Sequence, residues 1–274
     1  VDRVSEIAAL ANKAAYNSDH VQEYIDGSPH IKHESLRRLY AEQVVRILDF
    51  VSDPGKTVRV LDLGSGEGSV TLPFLQQGAH VTAVDISQPM LDRLSDACAE
   101  YKERLEPICE DIHKSLQGFA ENSRKFDVVV CNSFLHHIPD YLELIRQSCK
   151  VLDRPGAFFA FQDPMRYDTL GKKNHSISRL AYLSWRVTKG DLMGGAQRLA
   201  RRSKGVLDEN SMHDNAEYHC VRNGVDQEAI GRELKELGLE PEIIEYFSTQ
   251  SKMWQSIGTG LGAKNTFGVI GFGR

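Results

Sequence analysis

Five short stretches of the chain are largely apolar, at residues 58–63, 79–85, 107–112, 125–133 and 157–163, and most stop at an acid or a glycine. Runs apolar on both faces are what buried parallel strands look like. Between them the period lengthens to that of helices. Residues 35–51 form one helix, and a second starts at Ser87, a candidate cap, with Leu91, Leu94 and Ala97 facing inward. Residues 141–152 form a third, closed by the turn signal Asp-Arg-Pro-Gly156, and residues 226–238 a fourth, with Asp226 as cap and Gly238 as terminator. Ahead of them, Val4, Ile7, Ala8 and Ala11 share one face of a short amphipathic helix. At the far end, residues 242–247 and 266–273 read as strands joined by a loop that holds at most a short turn of helix, so an antiparallel pair is expected. Strands alternating with helices predict an α/β, doubly wound sheet.

Composition narrows the class without naming a function. At 274 residues and a net charge of −5, the chain fits one elaborated α/β domain and gives no global case for nucleic acid or membrane. No run of about 18 apolar residues suggests a membrane span, and no charged-then-apolar leader opens the chain at Val1. The five cysteines (Cys98, Cys109, Cys131, Cys149, Cys220) are scattered and never form Cys-x-x-Cys, which fits reduced thiols in the cytosol and no metal.

The first strand runs into the turn Asp62-Leu-Gly-Ser-Gly-Glu-Gly68. Glycines there let the backbone and a following helix N-terminus press against a nucleotide-like ligand. Asp85 follows Asp62 by 23 positions, near the roughly 20-residue spacing at which an acid meets a ribose. A dinucleotide fingerprint would place its third glycine where Ser69 stands, and Asp62 puts negative charge beside the turn, which suits a cationic ligand better than a pyrophosphate. Asp62–Gly68 resembles motif I of the class I S-adenosylmethionine-dependent methyltransferases (small-molecule, type 11-like), and Asp85 resembles their ribose-binding acid. The resemblance covers residues 58–163 well and 226–274 loosely. It implies a Rossmann-like, seven-stranded, mostly parallel sheet with one antiparallel strand.

What the resemblance implies for the site follows residue by residue. Asp62, Gly64, Ser65, Gly66 and Asp85 belong to the cofactor, Ile86 and Met90 to its adenine, and Asp111 with Ile112 to the adenine amino end. Asn132 closes the fourth strand beside it. An N-terminal segment, residues 1–50, folds over the cofactor in many such enzymes, with Tyr16 or Tyr24 near its methionine end. The core spans 51–164 and 226–274. The loop Phe134-Leu-His-His-Ile-Pro-Asp140 resembles motif IV, whose residues flank the transferring methyl, so His136 and His137 are acid/base candidates. One of two adjacent histidines commonly serves structure instead. Asp163 either orients a substrate hydroxyl or a histidine, or caps its own Asp-Pro turn.

Residues 165–225 exceed what a minimal domain needs, and long excursions are usually functional. They carry Tyr167, His175, Tyr182, Trp185 and His219, expected as substrate-binding residues of an inserted helical lid. Between Gly171 and Gly205 stand nine Lys/Arg against one acid, Asp191. A solvated face answering acidic surface, in this molecule or a neighbouring subunit of a homo-oligomer, explains the charge as readily as an anionic substrate or RNA.

The expected activity is methyl transfer from S-adenosyl-L-methionine, leaving S-adenosyl-L-homocysteine, to the O, N or C of a small molecule, in the manner of bacterial secondary metabolism. An RNA methyltransferase is the first rival, although Asn132 is followed by Ser133 and Phe134 rather than the prolines of amino-group methylases. A cyclase of the same fold that transfers no methyl is the second, and a nicotinamide oxidoreductase the third.

Overall fold

The structure is a computed structural model and describes residues 3–17, 25, 27–190, 193 and 216–274. Seven strands form one sheet: β1 (Arg59–Leu63), β2 (His80–Asp85), β3 (Leu105–Cys109), β4 (Phe126–Asn132), β5 (Leu152–Pro164), β6 (Glu240–Tyr246) and β7 (Thr266–Gly273). Their order is β3-β2-β1-β4-β5-β7-β6. Neighbours from β3 to β5 pair in parallel, while β7 runs antiparallel to both β5 and β6. The expected seven strands and single reversed strand are therefore present. Because the order reverses between β1 and β4, the carboxyl ends of those two strands open a crevice there.

The alternation along each strand divides the core in two. Leu61, Leu63, Val129, Cys131 and Phe158 face one side, where α6 (Ile112–Glu121), α7 (Tyr141–Lys150) and α9 (Gln227–Glu236) cover them. Val60, Val128, Val130, Phe159 and Phe161 face the other, under α3 (Glu34–Val51) and α4 (Thr71–Gln76). Among the described residues the remaining α-helices are α1 (Arg3–Tyr16), the four-residue α2 (Pro29–Lys32), α5 (Gln88–Ala97), α8 (Lys172–Thr188) and α10 (Lys252–Gly260). None of the helices in the described residues is long and apolar enough to cross a membrane.

Several expectations need correcting. On α1, Val4 and Ile7 are exposed, and the buried stripe is Ala8, Ala11 and Asn12. The helix is rotated so that its small face meets the domain and brings Tyr16 inward. Ser87 does precede α5, but its hydroxyl makes no cap; it bonds Asn17 Oδ1 at 2.6 Å and ties down the end of α1. The third strand stops at Cys109, before Asp111, because the Asp111 carboxylate accepts from the His113 and Lys114 amides and starts α6. The loop between the last two strands holds the nine-residue α10. The 165–225 excursion leaves and returns at one point: Met165 pairs with Val225, and the Val225 amide donates to Pro164 O at 2.9 Å.

Candidate active site

The turn after β1 is held by its own backbone. The Gly64 and Ser65 amides both donate to Val84 O, and the Gly66 amide donates to Asp85 Oδ2 at 2.9 Å. Gly64 has φ +71°, and a Cβ there would lie 2.2 Å from the Phe134 ring, so only glycine lets that aromatic close over the turn. Gly68 (φ +95°) lets the turn approach Leu94 of α5, the packing role that a dinucleotide site gives to a glycine one residue later.

Around this turn lies a narrow cavity of about 110 Å³. It is lined by ten of the twelve expected cofactor residues: Gly64, Ser65, Gly66, Asp85, Ile86, Met90, Asp111, Ile112, Asn132 and Tyr16. Tyr24 falls outside the described residues. Asp62 is a correction. Its side chain does not line the cavity; it lies beneath the turn and accepts from Thr71 Oγ1 at 2.6 Å. Burial, reinforced by the nearby Asp85 and Glu67, outweighs that bond and pushes its carboxyl up to about 7. Asp85 is raised as well, by burial first, against the Ser87 and Gly66 amides that favour its charge.

The lining fits an adenosyl cofactor on its own chemistry. Ser65 Oγ, Ser69 Oγ, Asn132 Oδ1 and His30 Nδ1 are all buried polar atoms with no protein partner among the described residues, and all four residues face this cavity. Buried groups of this kind are costly unless a ligand or water meets them. The free volume is below the roughly 300–1,000 Å³ of ligand pockets, and Tyr16, Ile25, Ile31 and Met90 pack together along its wall. Admitting a cofactor therefore requires the α1 side to give way.

A second cavity, of about 790 Å³, adjoins the first; Ser28 and Ser133 line both. Its wall includes Tyr167, His175, Tyr182 and Trp185, as expected of the substrate residues, together with Arg179, Arg222, Glu217 and Cys220. His219 departs from expectation. Its ring bonds the Ile138 and Pro139 carbonyls and its amide donates to His136 O, so it props the histidine loop rather than facing the cavity. Of the basic run, Lys172, Lys173, Arg179, Arg186 and Lys189 are described; Arg198, Arg201, Arg202 and Lys204 lie outside the described residues, as does Asp191.

The two adjacent histidines are divided between the cavities, His137 facing the first and His136 the second. Their ring centroids are 4.0 Å apart. His137 Nδ1–H donates to Ala216 O at 2.6 Å, which leaves Nε2 to accept from the Tyr16 hydroxyl at 3.1 Å. Burial and the neighbouring His136 lower it to about 4, so it stays neutral. His136 Nδ1–H donates to Asp163 Oδ1 at 2.8 Å, and the same oxygen accepts the His136 amide at 3.0 Å. Burial opposes its charge, but contact with Cys220 and the bond to Asp163 hold His136 well above the usual histidine range. Asp163, fully buried, thus orients a histidine, one of the two roles foreseen for it.

The backbone that achieves this is unusual. Gln162 (φ +67°) and Ser133 (φ +52°) sit in the left-handed region at the ends of neighbouring strands. The β5–β7 register shifts between Ala160 and Asp163, an irregularity that turns Asp163 toward the histidine loop. Neither position advertises itself in sequence. His30, Glu217 and Cys220 were also missed; each comes from a segment with no periodic pattern.

Comparison with known proteins gives the family and the fold. Residues 33–242 match the family model described as a methyltransferase domain. A ubiquinone biosynthesis O-methyltransferase of Coxiella burnetii (strain Dugway 5J108-111) is 28% identical over 206 residues, 70% of this chain and 77% of that protein. The enzyme of the same name from Vibrio vulnificus (strain YJ016) is 35% identical over 103 residues, 38% of this chain; there the match spans only 42% of the relative's length. In fold, the chain resembles magnesium protoporphyrin IX methyltransferase (ChlM) from Synechocystis PCC 6803 with bound SAH, at a TM-score of 0.57 and 14% identity over 97% of this chain and 100% of that one. It also resembles the plantazolicin methyltransferase BpumL in complex with SAH, at 0.56 and 15% over 99% and 96%. The chain belongs to the methyltransferase-domain family, as a class I enzyme that uses S-adenosylmethionine.

Proposed function

We propose that the chain methylates a hydroxyl oxygen of a small molecule seated in the larger cavity, with His136 as the base. The observation that carries this reading is the division of the histidine pair between two adjoining cavities. The smaller has the chemistry of an adenosyl site, and the larger has His136, braced by Asp163, on its wall. That the curated relatives are named O-methyltransferases supports oxygen as the acceptor atom. The role in their names, ubiquinone biosynthesis, also favours a quinone-related or similar hydroxylated acceptor over the secondary metabolism expected from the sequence.

The cofactor, when bound, supplies an activated methyl on a sulfonium. This chain's residues do the rest. Gly64, Gly66 and Asp85 would hold the cofactor, and the described parts of 165–225, α8 above all, would wall the larger cavity against water. His136 Nε2 would take the acceptor hydroxyl's proton as the methyl is transferred; because Cys220 and Asp163 favour the protonated ring, only the deprotonated fraction serves as base, and turnover should rise with pH. The Asp163 bond fixes the tautomer and orientation that this transfer needs. Glu217 Oε2, 3.9 Å from that nitrogen, gives the proton a way out.

The test is incubation with S-adenosylmethionine and a panel of phenols and catechols, read by product mass. A gain of one methylene on a hydroxyl that is lost in His136→Gln supports the reading. Methylation on nitrogen or carbon, or an unmodified but cyclised product, overturns it.

A further inference from the structure

The groups around His136 Nε2 have a property that proton transfer does not use. His136, His137 and Glu217 bring one ligand atom each to within 4.8 Å of one another, and the histidines are buried. The Cys220 side chain is in hydrogen-bond contact with both His136 and Glu217. Two nitrogens and a carboxylate oxygen therefore converge, with the Cys220 sulfur beside two of those three groups.

Both histidines are also set as metal ligands usually are. A ligating histidine donates its other ring N–H to a carboxylate or backbone carbonyl, which fixes the tautomer with its lone pair forward. Here His136 Nδ1 bonds Asp163 Oδ1 at 2.8 Å, and His137 Nδ1 bonds Ala216 O at 2.6 Å. The two Nε2 atoms are thereby left as the available donors. His137 Nε2 holds only the Tyr16 hydroxyl, a bond that an ion would replace.

We propose that His136, His137, Glu217 and Cys220 form a binding site for a divalent cation of the zinc or cobalt(II) class. Mixed nitrogen and sulfur donors with one carboxylate select such borderline ions over magnesium or calcium. Donors about 2.1 Å from a tetrahedral ion sit roughly 3.4 Å apart, so the 3.9 Å from His136 Nε2 to Glu217 Oε2 closes with a small side-chain rotation. With Cys220 turned in as the fourth ligand the site has no open position, whereas a catalytic zinc keeps one for water or substrate. The bound ion therefore blocks methyl transfer, by taking the lone pair that accepts the acceptor's proton. This consequence rests on His136 being the base; the binding itself does not.

The metal-stripped full chain, exposed to Co²⁺ and gel-filtered, is expected to retain one equivalent by elemental analysis, with a thiolate-to-cobalt absorption band. Cys220→Ser should abolish the band, and Glu217→Gln should weaken binding at least about tenfold, while Cys149→Ser in α7 changes neither. Calorimetric binding of S-adenosylhomocysteine to each variant checks that it is folded. Zinc should inhibit turnover of the wild-type enzyme, with recovery on adding a chelator. Wild-type protein that retains no cobalt or shows no thiolate band overturns the site without needing any variant, as does retention that Glu217→Gln and Cys220→Ser leave unchanged. Zinc that stimulates turnover overturns the block. Failure of the methyl-transfer reading would appear separately, as no methylated product from metal-free enzyme.

Discussion

The two cavities that meet at the histidine pair are built by different means. The cofactor side is made from the carboxyl ends of β1, β2 and β4 and from a turn whose amides are bonded into the sheet, on strands with almost no exposed residue. The larger cavity, proposed for the acceptor, is walled in part by α8, in which Ala181 is the single buried residue. That helix meets the domain through a small cluster of Ala181, Phe247 and Ala263, with Ile177 and Trp254 against it. Geometry along the β1–α4 turn is fixed by backbone, and only the α1 side of that cavity gives way. On the acceptor side it is set by side chains on a lightly packed helix, where changes cost little stability. A methyl donor common to many reactions and an acceptor particular to one call for that difference.

If the division holds, chemistry and cofactor affinity separate. His136→Gln removes the proton acceptor, and turnover should fall about 10²–10⁴-fold, the usual worth of a general base, or roughly 2.7–5.4 kcal/mol of barrier. Cofactor affinity by calorimetry should stay as in wild type, since His136 faces only the larger cavity. An equal loss in both would break the comparison. On the cofactor side the converse is expected. Gly64→Ala forces a Cβ into the Phe134 ring at φ +71°, costing about 1–3 kcal/mol of stability and weakening cofactor binding. A variant with wild-type melting temperature and affinity would show the turn to be more pliant than described.

The cofactor side also carries a buried acid with no cationic neighbour among the described residues, unlike Asp163, which holds His136. Asp62 is pushed from 3.8 to about 7, chiefly by burial. A carboxyl raised on folding stabilises fully below its ordinary value, and that contribution is lost as pH climbs through about 7. Asp62→Asn keeps an acceptor for Thr71 Oγ1 without a charge to bury. Its melting temperature should therefore rise relative to wild type between pH 4 and pH 8, whereas a difference independent of pH would contradict the raised value.

The same contrast explains what the sequence disclosed. Strands buried on both faces leave unbroken apolar runs, so β1, β2 and β4 and the glycine turn between β1 and α4 could be placed from the hydrophobic pattern, while the resemblance of that turn to motif I supplied the ten expected cofactor residues that line the smaller cavity. Asp163 could be seen at a strand end, but not which of its two roles it plays. That depends on a left-handed Gln162, a residue type with no preference for that backbone. Glu217 and Cys220 reach His136 from about 80 positions away, and no local period records such an approach. His219 looked equivalent to its neighbours in sequence and differs only in having spent its ring on two carbonyls.

The smallest expected effect lies on the acceptor side and tests its looseness directly. Trp185 is on α8, only partly buried, with the Arg186 guanidinium 4.7 Å from its ring centroid and Tyr182 at 6.4 Å. Truncating it to alanine removes an aromatic face from the larger cavity but opens no hole in either core, because the sheet's clusters do not include it. Surface-type substitutions of this kind change stability by no more than about 0.5 kcal/mol. Trp185→Ala should therefore melt with wild type and bind cofactor with unchanged affinity, while KM for the acceptor rises and kcat holds. Such a pattern means that the ring contributes equally to substrate and transition state. A large drop in melting temperature would instead make α8 part of the core, and the distinction between a fixed donor side and an adaptable acceptor side would fail at its weaker end.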